Sequence, residues 1–217
     1  MTMYEERHNH ALLYLILAAA LIGLVLYLRP NMDPGKQRAV AGIREPLQTE
    51  AHGSEQLTIG GYDLTFTYLY NDDIEALVIG THNYSGVGIG DKLAPKDVAL
   101  AWGKVAEYNT KIDFHWDQSN RWYYWKVDNV QELAPLGSVN EVGLHSANNH
   151  LIATDSATRK AIKRIKVGDH IRLTGYLVNI DGHSGSRTFF WHSSTSRADT
   201  GNGSCEVFYV KSVEWLD

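Results

Sequence analysis

Two kinds of apolar pattern divide this chain. Residues 11–28, ALLYLILAAALIGLVLYL, run for eighteen positions without a charge or an amide. A helix of that length measures about 27 Å at 1.5 Å per residue, enough to cross a bilayer core of about 30 Å with help from its flanks. Tyr14 and Tyr27 lie near its two ends, where amphipathic rings favour the membrane interface, and Arg29 and Pro30 stop it. A cleaved signal peptide is the competing reading. Ala18 to Ala20 supply small residues, yet the apolar run continues past them to Leu28, whereas a cleavage site follows the apolar region. The pattern therefore predicts a ten-residue tail, residues 1–10, and an uncleaved single-pass anchor over 11–28.

Beyond the anchor the pattern changes twice. Residues 29–56 hold three of the five prolines, Pro30, Pro34 and Pro46, with mixed charges and no sustained apolar period. That composition predicts a tether outside any core. From Leu57 to the end, residues 57–217, the signals are those of strands. Leu64, Phe66 and Tyr68 share one face of an alternating run from Tyr62 to Tyr70. Asn71-Asp72-Asp73 reads as a turn, and Ile74 to Ile79 as the returning strand. Pro95 to Val105 carries Val98, Ala101, Trp102 and Val105 at helical spacing and predicts a short helix. Lys111 to Trp116 and Arg121 to Val127 flank Asp117-Gln118-Ser119-Asn120 in the outline of an aromatic hairpin. Thr154 or Asp155 is placed to cap a helix reaching about Ile165. Strands follow over His170 to Ile180, Thr188 to His192 and Cys205 to Val213. The expected fold class is mainly β, a β-rich α+β arrangement: an antiparallel, partly closed barrel with two or three short helices, of which an OB-like barrel is one version.

Composition narrows the function. With 20 basic and 25 acidic residues the formal net charge is -5, which argues against nucleic acid as the main partner. A single cysteine excludes an internal disulfide framework and a Cys-based zinc cluster, and no cofactor is implied. Orientation is contested within the sequence itself. Only Arg7 is basic before the anchor, while Arg29, Lys36, Arg38 and Arg44 follow it, so the positive-inside count favours a cytoplasmic domain. A short tail leading directly into an anchor is the layout of bacterial proteins that face the periplasm, and the reading leans to that side.

The second half also carries a resemblance. Ser146-Ala147-Asn148-Asn149-His150-Leu151-Ile152, the stretch Gly168 to Val178, and Thr195-Ser196-Arg197-Ala198-Asp199-Thr200-Gly201-Asn202-Gly203-Ser204-Cys205-Glu206 resemble an uncharacterised group of membrane-anchored bacterial proteins. The resemblance implies an anchored envelope protein and brings no mechanism.

Several constellations bear on chemistry. Asp199-Thr200-Gly201 matches the aspartic-protease tripeptide, but no second copy supplies the partner carboxylate, and a polar loop is the plainer reading. Asp113, His115 and Asp117 alternate with Ile112, Phe114 and Trp116. On a strand they would share one face, suited to a divalent metal or to acid–base work, or simply solvated opposite a buried Phe–Trp face. His145 and His150 are five apart, wrong for one helix face, and Asn148 and Asn149 between them suit a turn. Cys205 entering a strand reads as a small buried hydrophobe. None of these outweighs its structural alternative, so no catalytic or metal site is assigned.

Surface features point instead to partners. Trp116, Trp122, Tyr123, Tyr124 and Trp125 are too many rings for one side of a small sheet, and those turned outward would anchor a protein contact. Arg159 and Lys163 belong to a basic face opposite the apolar stripe of Ala157, Ala161, Ile162 and Ile165. The expected function is a non-catalytic accessory subunit docked on a larger inner-membrane or envelope assembly, with Trp116, Trp122, Tyr124, Trp125, Arg159 and Lys163 as contacts and the bilayer as a further partner. Two alternatives remain: an envelope hydrolase using Asp113, His115, Asp117 or Asp199, and an OB-like binder of oligosaccharide or nucleic acid.

Overall fold

The computed structural model describes residues 37–196, 198, 199 and 204–216, together with the helical positions Tyr14, Leu17 and Ala18. The chain divides into two units, Met1–Asn31 and Met32–Asp217. The predicted anchor over 11–28 thus lies almost wholly outside the described residues, as do Tyr27 and Arg29, while Tyr14 is exposed. Among the described residues no helix is long and apolar enough to cross a membrane.

The second unit is built on strands β1 (Leu47–Glu50), β2 (Ser54–Ile59), β3 (Tyr62–Asn83), β4 (Lys96–Ala101), β5 (Asp117–Ser119), β6 (Trp122–Tyr124), β7 (Ser146–Ile152), β8 (His170–Ser184), β9 (Arg187–His192) and β10 (Glu206–Trp215). Short helices α1 (Ile89–Leu93), α2 (Gly103–Tyr108), α3 (Asn140–Leu144) and α4 (Ser156–Arg164) and a 3-10 turn at Val130–Leu136 connect them. All strands but β5 and β6 join one mixed sheet, and the pairings β3–β4–β7–β10–β8 return to β3, so five strands close a circuit. Four of those five pairings are antiparallel, but β7 and β10 run parallel, which corrects the expectation of a purely antiparallel barrel. Parallel neighbours need a long crossover, and here it holds α4, β8 and β9.

Closure explains where sequence patterns mislead. Asn71-Asp72-Asp73 is no turn: β3 continues through it for 22 residues, because those positions pair with β1 on one side and β8 on the other. Two sets of ladder bonds outweigh the local turn preference of Asn and Asp. The predicted helix over 95–105 is strand β4 followed by α2. All six residues of β4 are buried, and a strand covered on both faces loses the alternation that would mark it. The tether reading also gives way toward its end. Residues 47–50 and 54–56 belong to β1 and β2, Ile43 is buried in the core, and Asn109 donates to Gln37 Oε1 and the Arg38 carbonyl.

Helix α4 forms as expected. Asp155 Oδ1 accepts from the amides of Ala157 and Thr158 at 3.0 and 2.8 Å, satisfying donors that lack partners at a helix start. Its far end is capped from another strand, since buried Lys96 Nζ donates to the carbonyls of Ile165 and Lys163. Two apolar clusters fill the unit. One gathers Val98, Leu100, Leu151, Leu173 and Phe208 with the fully buried Trp102; the other gathers Leu64, Phe66, Val178, Ile180 and Tyr209.

On the surface of the β3–β8 pair, Arg172 forks onto both oxygens of Asp73, and those hydrogen bonds hold the Asp73 carboxyl below its ordinary value. On acidification the unfolded chain then protonates this site first, so the stabilisation is complete above the unfolded value near 3.8 and vanishes as pH falls through the lower folded value. Urea midpoints of the wild type should drop below about pH 4 more steeply than those of Asp73→Asn; equal acid slopes would contradict the assignment.

Candidate binding site

The register of β4 on β7 sets Asp97 opposite His150, Ala99 opposite Asn148 and Ala101 opposite Ser146. Directly opposed residues share a face, so this pair of strands presents a polar stripe, and every member of it is buried. What covers the stripe is the chain's own insertion between β4 and β7. Within it β5 and β6 form a hairpin closed by Asn120 and Arg121, whose φ angles are +52° and +69°. A two-residue turn matching strand twist needs φ above zero at both positions; Asn accepts that readily, whereas Arg is strained.

Arg121 stays there because its head group is gripped. Nη1 donates to Asp97 Oδ1 at 2.7 Å and to the Ala94 carbonyl at 2.8 Å, while Nη2 donates to Asp91. The guanidinium lies 3.5 Å from the Tyr84 ring centroid, and the Tyr84 hydroxyl accepts from the Arg121 amide. Further bonds fasten the hairpin to the stripe. Gln118 Nε2 donates to Asn148 Oδ1 at 2.6 Å, Asn148 Nδ2 donates to the Arg121 carbonyl, and the Tyr123 and Ser146 hydroxyls lie 3.1 Å apart. His150 Nδ1 sits 2.9 Å from Asp97 Oδ1 but outside hydrogen-bond geometry, so that fully buried carboxylate is held by a guanidinium and flanked by an imidazole. Burial, and then the Asp97 charge, push the Tyr84 phenol far above its ordinary value.

Cys205 lies beside this network, with Sγ 3.5 Å from Asn148 Nδ2 and 3.6 Å from the Arg121 carbonyl. Burial pushes its thiol up to about 11, the opposite of what a nucleophile needs. At pH 8 the thiolate fraction is then about a hundredfold below that of a free thiol of pKa 9.0. Alkylation by iodoacetamide should be slow to that degree in the folded protein and recover on unfolding; rapid labelling at pH 8 would refute the burial argument.

Hollows flank the hairpin on both sides. Toward β9 a cavity of about 340 Å3 is lined by Arg121, Trp122, His150, Phe190, Trp191 and His192, with Cys205 at its wall. On the other flank a cleft of about 490 Å3 is lined by Trp125, Val139, Asn140, Gly143 and Leu144 together with Asp199.

The residues singled out by sequence fall in different places. Residues 112–116 are not a strand: His115 has φ +42°, and Ile112, Phe114 and Trp116 are buried from an irregular segment. Asp113 therefore shares no strand face with His115 and Asp117. His115 stands instead between Asp113 at 3.7 Å and Asp128 at 3.4 Å, both largely exposed, and Asp117 accepts from the Gln118 amide. Trp116 belongs to the core, 8% exposed with Nε1 donating to Asn109, so it is removed from the partner surface. Trp122 and Trp125 are half-buried and Tyr124 is 48% exposed. Arg159 is spent on the carbonyls of Ala153 and Lys92, whereas Lys163 is exposed. Asp199 Oδ2 accepts from the Ser194 hydroxyl at 2.6 Å. Asn148 and Asn149 lie within strand β7 rather than a turn, and His150 faces the Asp97 carboxylate. His145 instead bonds back to Glu141. Among the described residues no group of three or more His, Cys, Asp or Glu is placed to hold a metal.

Sequence reasoning passed over Asp97, Arg121 and Trp191. The available signal was Asp97 at the head of the apolar run 98–102, where a core accepts a carboxylate only with a partner. No family model matches this chain, and no curated protein or solved structure shows significant similarity to it.

Proposed function

We propose that the chain is a non-catalytic interaction subunit, anchored through residues 11–28 in a bacterial inner membrane and docked on a larger envelope assembly. Its folded unit is read as an OB-like barrel facing the periplasm. Support for that fold reading comes from the five-strand circuit, the parallel pairing that closes it, and the helix between its third and fourth strands. The observation that carries the functional reading is the hairpin. It is clamped at Arg121, Gln118 and Tyr123, and it presents the exposed Tyr124, with Trp125 lining a cleft beside Val139 and Leu144 and Trp122 turned to the other flank. Rings held by a rigid scaffold lose little entropy on binding, which is why such residues anchor interfaces. The hydrolase alternative draws less support, because its Asp and His candidates are scattered and the thiol is protonated.

The test is native purification of the full chain from membranes, with Tyr124→Ala/Trp125→Ala alongside. The wild type should bring down protein partners that the double variant loses while keeping its circular dichroism and melting temperature. A wild-type chain that runs alone and monomeric would sink the proposal.

A further inference from the structure

We propose a second site: the cavity between β9 and the hairpin binds an uncharged sugar ring of an oligosaccharide. The first ground is its walls. Trp191 packs on His150 at a centroid distance of 4.7 Å and a 42° tilt, Trp122 closes the hairpin side, and Phe190 stands 74% exposed at the mouth. Fixed aromatic faces of this kind take the C–H face of a pyranose ring as they take any flat apolar surface. A volume of about 340 Å3 falls at the small end of ligand cavities, about 300–1,000 Å3, and suits a short ligand end rather than a long polymer track.

Charge decides between ligand classes. The Arg121 guanidinium is answered by Asp91, Asp97 and the Ala94 carbonyl; His150 faces Asp97, and His192 Nε2 lies 2.9 Å from Asp181. An anionic ligand would have to break one of these pairs to find a cation, and an amine would have to break one to find a carboxylate. Single-stranded nucleic acid needs a basic groove beside its stacking rings, and this pocket offers none in a chain of net charge -5. A purely apolar ligand would bury the imidazole edges without partners, at a cost. An uncharged ring bearing hydroxyls meets both demands at once, stacking on the indoles and bonding to the imidazoles. The site is also preorganised, because the Arg121 clamp fixes Trp122 and the Asp97 contact fixes His150.

The experiment uses the full chain in a detergent without a sugar head group. Chitotetraose, cellotetraose, oligothymidylate and a tryptophan-containing peptide are titrated against intrinsic tryptophan fluorescence, with calorimetry as the second readout. A neutral tetrasaccharide should bind with little dependence on salt. Trp191→Ala should weaken that binding by about tenfold or more, and His192→Ala, at an exposed position, should weaken it without loss of fold. Absence of saccharide binding overturns the proposal, as does preferential binding of the peptide or of oligothymidylate with steep salt dependence. Retained partner capture by His192→Ala would separate this site from the docking surface on the opposite flank.

Discussion

Arg121→Ala is expected to lower the unfolding free energy by about 3–5 kcal/mol, the range found when one partner of a buried ion pair is removed. Asp97 is fully buried and would keep only the Tyr84 hydroxyl and the neighbouring His150, while Asp91 and the Ala94 carbonyl lose their donor. Alanine gains nothing from the backbone, because φ at +69° disfavours any residue with a Cβ. Glycine at the same place should recover about 1 kcal/mol relative to alanine, which separates backbone strain from the lost clamp. Lysine should fail to rescue. Its single ammonium cannot reach two carboxylates and a carbonyl together, nor lie flat on Tyr84. Urea unfolding of the four proteins checks this, and a loss below about 1 kcal/mol for alanine would show that solvent already reaches Asp97.

The second large effect lies on the opposite side of the barrel. A Cβ added to Gly175 would stand 2.2 Å from the Tyr209 carbonyl oxygen and 3.0 Å from the Phe208 ring. Gly175 pairs with Val210 on β10 and with Asp72 on β3, and both neighbouring strands shift register close by, at Val210/Ser212 and Tyr68/Tyr70. Strands that coil tightly enough to close bring backbones together at such points, and only glycine leaves room. Overpacking usually costs about 1–3 kcal/mol; against backbone held on both sides, Gly175→Ala should reach about 3 kcal/mol or prevent folding. Gly88→Ala, with nothing within 4 Å and only the N-cap preference of α1 to lose, is the control and should stay within about 1 kcal/mol. Similar melting temperatures for the two variants would mean that the seam is looser than its distances indicate.

Much of the strand content and helix α4 are legible in the sequence, and the reason is local. Asp155 at a helix start and the alternation along 170–180 each declare their element within a few residues. The site was not legible because its parts are distant and its signals are inverted. Buried β4 reads as helix, and polar β7 reads as turn, since the groups that satisfy Asn148 and Ser146 come from Gln118 and Tyr123 far along the chain. The hairpin itself was visible as a cluster of rings. Its turn was misplaced, because Arg at positive φ obeys a tertiary clamp that no local rule encodes.

The parallel pairing of β7 with β10 carries a consequence for how the molecule is made. Until β10 leaves the ribosome, β7 has one open edge, and the β3–β8 seam has no fifth strand to complete the ring. The two seams that β10 closes, with β7 and with β8, therefore form last and across long stretches of chain, which slows folding and leaves strand edges able to pair with other copies. A nascent chain stalled anywhere before residue 206 is thus an aggregation-prone intermediate, and efficient production of this protein depends on shielding it for that interval.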